Sequence, residues 1–365
     1  MQSIITNRGG WRPTKIQGFQ MKAVDMTAFK RSNVKTLKSK SYDSTAKRAI
    51  PATTYGMLGT IGQVNDQRLA VLDALLSGEP TENAPSKEMT RMYKTVAERL
   101  TSKDIAIFDA GFSLPNAMIH GVKQCVVRLS KNCTFGRTPG KVPARTADKG
   151  RSPSRHQAEI VRPLERQHGE NKLPKTEPDR TTMWIDADGE NIKIEFWDPL
   201  YLLERHLDDL TDEKEKEILR TIPLKVVAIH HPDYDDPLLL GTPVMTLTGE
   251  SMAQIYPERW PIEGIPQTAK YLLSGGGGRH YVHHTQAMKR LPALSMIFGC
   301  LFKYLAATFP PIRSGFWDRV VKPTYGRLLK YLKKVGIPIS EQLFKKASVT
   351  AHLPVGYEAI RLSRA

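Results

Sequence analysis

At 365 residues the chain can bury a sizeable core, as one large domain with an insertion or as two domains. Its 54 Lys and Arg against 37 Asp and Glu leave a formal charge of +17, which points to a polyanionic partner, with nucleic acid ahead of a membrane surface. Cys125, Cys133 and Cys300 are too few and too scattered for a disulfide framework or a zinc site, and residues 1–12 lack the apolar core of a signal peptide, so a reducing, intracellular setting is expected.

Residues 1–18 show no period and read as a leader, with turns at Gly9-Gly10 and Pro13. Residues 19–25 read as a strand ending on Asp25. A carboxylate at the C-terminal end of a strand sits at the open rim of a sheet, where ligands bind in α/β folds; a helix cap or turn is the other reading. Residues 27–48 are strongly basic with Ser and Thr interspersed, which suits phosphate contacts and equally a solvated loop. Residues 49–61 and 68–76 predict two more strands, separated by 62–66. Residues 85–100 have helical spacing, with Ser86 as N-cap. Residues 104–109 are the clearest buried strand, an apolar run of the parallel-sheet kind that delivers Asp109 and then Ala110-Gly111. An apolar strand presenting one carboxylate and then a glycine favours a metal-holding acid over a turn former. A short helix over 115–120 and a strand over 122–129 follow.

Residues 131–180 are rich in Pro, Gly, Arg and Lys and predict a long basic loop, or a segment that orders on its partner. The Gly-rich run 136–141 is one residue short of a phosphate loop, and Val142 stands where Ser or Thr is needed. Strands are expected at 181–184, 191–197, 223–229 and 238–247, as a small antiparallel sheet. Residues 202–220 predict an acidic amphipathic helix with a solvated face. His230 and His231 read as part of a turn, and His280, His283 and His284 as helix-end residues. Gly275 to Gly278 read as a joint. Residues 281–308 predict a long apolar helix; Pro292 and Lys303 within it favour a core helix over a membrane span. The tail, 310–365, is cationic with a helical period around 325–335, and either lies on a DNA backbone or is solvated.

The most specific pattern lies in residues 256–270, where Tyr256, Arg259, Glu263 and Lys270 fall at offsets 0, 3, 7 and 14. On an α-helix these offsets share one narrow stripe. An acid, two cations and a phenol form either a solvated face or a surface that meets something charged. Pro257, Pro261 and Pro266 interrupt the run, and Pro266 is expected to break or kink the helix.

This Y-x2-R-x3-E-x6-K pattern, with Trp260 after the arginine, resembles the signature of bacterial insertion-sequence transposases of the cut-and-paste DDE type. The order strand-strand-strand-helix-strand-helix-strand, with acids closing the first and fourth strands, resembles that family's ribonuclease-H-like core. The resemblance implies an α/β fold, a mixed sheet flanked by helices with a β-rich insertion between the fifth core strand and the helix carrying the third acid. It divides the chain into a leader (1–18), the first part of the core (19–130), a β-rich basic insertion (131–249), the catalytic and closing helices (250–309) and a basic helical C-terminal region (310–365).

The same resemblance implies that Asp25, Asp109 and Glu263 are catalytic and hold two Mg²⁺ ions, with Mn²⁺ able to substitute. Arg259, Lys270 and Tyr256 would contact DNA phosphates, and Trp260 would stack on a displaced base or pack in the core. The implied activity is cleavage at transposon ends and strand transfer into target DNA. The implied setting is a homodimer on DNA in the bacterial cytoplasm, near the nucleoid, with no membrane and no small-molecule cofactor. Family members carry a helical DNA-binding region ahead of the first strand, whereas only residues 1–24 precede Asp25 here. The alternative is therefore a truncated, non-catalytic remnant that binds DNA or inhibits a full-length copy.

Overall fold

The computed structural model describes residues 10–31, 34, 37–78, 85–139, 160–168, 170–274, 284–309, 312–313 and 323–335. Two compact units divide between Thr308 and Phe309.

The first unit is built on Phe19–Lys30 (β1), which pairs antiparallel with Arg48–Val64 (β2). β2 pairs antiparallel with Gln67–Ser77 (β3). Asn65 and Asp66 join them, both at positive φ (47° and 62°), as a two-residue turn whose twist matches that of the flanking strands. The loop expected over 62–66 thus shrinks to two residues. Pro85–Arg99 (α1) leads to Asp104–Phe108 (β4), buried throughout and parallel to β1. Leu114–Ile119 (α2) starts at Ser113, whose side chain accepts from the Asn116 N–H, with Pro115 in the first turn. Cys125–Arg128 (β5) then pairs parallel with β4. Across the sheet these strands run β3-β2-β1-β4-β5.

The next four strands do not form the separate small sheet expected of them. Arg180–Ile185 (β6), Asn191–Leu200 (β7), Leu224–His230 (β8) and Leu238–Thr242 (β9) are an antiparallel meander. β9 joins β5 at Leu240↔Arg128 and Gly241↔Val127, so the meander extends the same sheet to β3-β2-β1-β4-β5-β9-β8-β7-β6. The physical reason is burial. Residues 224–229 of β8 are all buried and, Lys225 apart, apolar, so they need cover on both faces. Gly241 lets β9 come in close, because a Cβ there would meet Leu114 and Leu129 side chains at 2.9 Å. The expected helix over 202–220 splits into a 3₁₀ turn at Glu204–His206 and Glu213–Thr221 (α3), capped by the Asp212 side chain. Within the basic stretch before β6, Phe135–Gly136 pairs antiparallel with Ile160–Val161, and Arg166–His168 with Asn171–Leu173.

Helices cover both faces of this mixed sheet. On one face Val24, Met92, Tyr93, Phe108, Leu114 and Leu219 share a core. On the other Met21, Ala23, Ile105 and Ile107 pack with Ile255, Ile262, Ile265 and Met296. That second layer consists of Gly249–Ile255 (α4), a 3₁₀ segment Tyr256–Ile262, Gly264–Ser274 (α5) and Thr285–Thr308 (α6). By length and composition, α6 is long and apolar enough to cross a membrane. It packs on α5 and β3, with Met288, Met296 and Cys300 buried.

In the second unit Tyr325–Val335 (α7) is capped at Thr324, whose hydroxyl accepts from the Arg327 N–H. Gly275 to Gly278, His280, His283, Arg319, Lys322, Lys345 and Lys346 lie outside the described residues.

Candidate active site

The two aspartates meet because of strand register. β1 and β4 run parallel, and their last registered pair is Ala23↔Ile107. Side chains alternate along a strand, so the residue two further on returns to the same face. Two past Ala23 is Asp25; two past Ile107 is Asp109. Ala23 and Ile107 belong to the core beneath α4, α5 and α6, so both carboxylates continue that face at the point where the parallel pairing stops. One expectation is corrected here. β1 does not end at Asp25 but continues to Lys30, held by antiparallel pairing with β2 from Asp25↔Met57 to Lys30↔Ala52. Asp25 reaches the rim because its parallel neighbour ends, not because its own strand does.

The third acid arrives on the 3₁₀–α5 junction. Residues 256–262 wind as 3₁₀ rather than α, so Tyr256 and Arg259 lie one turn apart on one line. Glu263 caps that segment, and its helical φ/ψ (−62°, −28°) feed into α5. Pro266 neither breaks nor kinks the helix. It is the third residue of α5, where a missing N–H leaves no helical bond unmade. The single α-helical stripe is therefore replaced by two short segments. Tyr256 and Arg259 sit on the first; Lys270 follows Glu263 by seven residues, two turns, along α5.

Arg259 is the hub. Its side chain is only 3% exposed, and its Nη2 lies 2.6 Å from Glu263 Oε1 and 3.8 Å from Asp109 Oδ2. The Tyr256 hydroxyl donates to Asp109 Oδ1 at 2.8 Å, and Arg128 Nη1 lies 3.6 Å from the same oxygen. The Met26 N–H donates to Asp25 Oδ1 at 2.8 Å. Lys270 Nζ lies 3.4 Å from Thr27 Oγ1 and 5.5 Å from the Phe29 ring centre, beside the next same-face residues of β1 after Asp25. Trp260 is 58% exposed and stands 5.3 Å from the Arg259 guanidinium.

The electrostatics follow from this layout. Burial pushes Asp25 up to about 6, against the pull of Arg259 and the Met26 N–H, with Glu263 and Asp109 repelling its charge. Burial also opposes ionised Asp109, but the Ala110 N–H, the Tyr256 hydroxyl, Arg259 and Arg128 outweigh it and hold that carboxyl below the usual range. Tyr256 is raised, by burial and by its bond to Asp109. Lys270 is lowered by burial and by Lys30. Neighbouring carboxylates pushed in opposite directions divide the protonation states between them.

The donor set suits a hard divalent cation in kind, since Asp25, Asp109 and Glu263 are all carboxylates and lie near enough for the last two to repel the charge of the first. They are not gathered into a ready cage: among the described residues no three His, Cys, Asp or Glu side chains are placed to hold a metal as they stand. The reason is visible in the distances. A guanidinium already lies between two of the three acids.

Sequence reasoning missed Arg128, Thr27 and Phe29. Arg128 ends β5, the parallel neighbour of β4, and so reaches the same rim as Asp109; the strand expected over 122–129 held that signal. Thr27 and Phe29 follow Asp25 at a period of two, a signal concealed by ending the strand at residue 25. The histidines serve elsewhere. His230 Nε2 lies 2.9 Å from buried Glu195, and His231 makes long contacts with Asp186 and Asp233 in a turn.

No known family matches the chain, and no curated protein matches it. Among solved structures, the NurA nuclease from Sulfolobus solfataricus is similar over 72% of this chain and 78% of that one, at 10% identity and a TM-score of 0.29. A likeness this slight carries neither structure nor function across.

Proposed function

We propose that this chain is a DNA-cutting enzyme of the DDE transposase type, with a ribonuclease-H-like core and Asp25, Asp109 and Glu263 as the acids that hold divalent metal. The observation that carries the proposal is the Ala23↔Ile107 register, which sets two rim aspartates side by side beneath the segment bearing Glu263. The chain order strand-strand-strand-helix-strand-helix-strand, on which the resemblance to that core rests, is the order of β1, β2, β3, α1, β4, α2 and β5.

Two Mg²⁺ or Mn²⁺ ions, when bound, would activate the attacking oxygen and stabilise the leaving oxygen of an in-line displacement at phosphorus. The chain's own residues supply the rest. The Tyr256 hydroxyl fixes the orientation of Asp109 through Oδ1. Arg259 offers a planar fork to a phosphate and Lys270 a point charge. Trp260, mostly exposed beside Arg259, offers a flat face to an unpaired base. DNA is the partner, bound as a homodimer, with transposon ends and target as substrates.

A second reading, a DNA-binding remnant without catalysis, draws on the same distances, because Arg259 already neutralises two of the acids. The deciding experiment incubates the purified chain with Mg²⁺ and labelled DNA carrying the repeats that flank its gene, beside Asp109→Ala. Nicking that requires metal and is lost in the variant supports the enzyme. Binding without nicking in either protein supports the remnant.

A further inference from the structure

We infer that Arg259 is a resident counter-ion of the site: it competes with divalent metal for Asp109 and Glu263, and a DNA phosphate relieves the competition by drawing the guanidinium away. This rests on the metal-dependent reading above and adds a loading order to it.

Three observations carry the inference. First, one nitrogen, Nη2, faces both carboxylates, at 2.6 Å from Glu263 and 3.8 Å from Asp109. A cation bound to those two acids would lie against a fixed positive charge, so either the metal or the guanidinium holds the pair. Second, the side chain is almost wholly buried, yet Nε and Nη1 have no hydrogen-bond partner among the described residues. Buried donors left unmade are costly, and these two call for an acceptor that none of the described residues provides. A phosphodiester oxygen is such an acceptor, and guanidinium–phosphate pairs are commonly two-pronged.

Third, the surroundings permit the exchange. Trp260 and Tyr256 lie 5.3 and 5.8 Å from the guanidinium, so the rings hold it by cation–π attraction alone, which is weaker than an ion pair. Asp109 keeps the Tyr256 hydroxyl and Arg128 as partners if Arg259 withdraws. Glu263 has no such second partner among the described ion pairs, and is the acid most altered by the move. Linkage then makes the coupling reciprocal: DNA tightens metal binding and metal tightens DNA binding.

The test measures Mn²⁺ affinity by the paramagnetic resonance signal of the free ion, with and without a short duplex. The proteins are wild type, Arg259→Gln and Arg259→Gln/Asp109→Asn, and the double variant corrects for Mn²⁺ held by the DNA. Arg259→Gln should bind Mn²⁺ about tenfold tighter than wild type without DNA, and the duplex should raise affinity about tenfold in wild type but little in the variant. Should Arg259→Gln not fold, Arg259→Lys replaces it. A lysine places its ammonium about one bond short of the position of Nη2, so its hold on both acids loosens and Mn²⁺ binding should tighten about threefold. Wild type and Arg259→Gln binding Mn²⁺ equally, with the site lost in the double variant, would overturn the counter-ion and leave the enzyme reading intact. No Mn²⁺ binding that depends on Asp109 in any protein would overturn both.

Discussion

At the scale of single residues, two neighbouring aspartates receive opposite treatment. Asp25 is raised to about 6 chiefly by burial, whereas Asp109 is lowered by its ring of donors. For Asp25 the folded state holds its proton more tightly than the unfolded chain, so folding is favoured below pH 4 and that contribution is lost as pH rises through about 6. Asparagine at this position avoids the cost of burying the charge and can still accept from the Met26 N–H. In metal-free protein, Asp25→Asn should therefore melt about 2–4 °C above wild type at pH 7.5, with the gain vanishing below pH 4. Calorimetry across pH checks this, and a variant that melts lower at pH 7.5 contradicts it. Removing Arg259 acts the other way, because it strands two partly buried acids. Arg259→Gln should cost about 3 kcal/mol in metal-free urea titrations and recover part of that loss in Mn²⁺.

At the scale of elements, the site depends on how closely the α4–α6 layer sits on the sheet. Gly299 of α6 crosses α5 so closely that a Cβ would lie 3.1 Å from the Ile265 carbonyl and 3.3 Å from the Ala269 nitrogen. Ser295, one turn earlier, donates to the Ala269 carbonyl at 2.8 Å. Gly299→Val should thus force the two helices apart, at a cost of about 1–3 kcal/mol by urea titration. On the proposed function, nicking should fall with it, although no reacting group is touched, because α5 carries Lys270 and follows directly on Glu263. Unchanged stability would show that the helices part freely. Legibility at this scale was uneven. The buried run of β4 was plain from its four apolar residues in a row, 105–108, whereas the 3₁₀ winding of 256–262 was not. Proline at 257 and 261 signals a departure from α-helix, but only packing of Tyr256, Arg259 and Ile262 against β1 and β4 selects the tighter turn.

At the scale of the molecule, a charge of +17 would make the proposed DNA binding electrostatic in the first instance. Affinity for duplex should fall linearly in logarithmic plots against salt, by about a thousandfold between 50 and 200 mM if some six phosphates are contacted. Filter binding or anisotropy measures this; affinity indifferent to salt would remove the phosphate backbone as the main contact. The sheet itself has a consequence. Because β9 joins β5, the meander β6–β9 is continuous with the strands that bear the aspartates. A Cβ at Gly241 would press on Leu114 and Leu129, so Gly241→Val should unfold the sheet as one cooperative unit rather than release the meander alone. Hydrogen exchange reads the difference.

By itself the sequence determined the cationic excess, the apolar strand that delivers Asp109, and the spacing that singled out Tyr256, Arg259, Glu263 and Lys270, since each depends on composition or local order. Only the tertiary structure decided that β1 passes Asp25 and reaches Lys30, that the four later strands extend one sheet, and that Arg259 stands between two acids. Those are matters of which neighbour pairs with which strand, and of which charge is nearest in space. Contacts between residues far apart in the chain, such as the 147 positions between Asp109 and Tyr256, settle them.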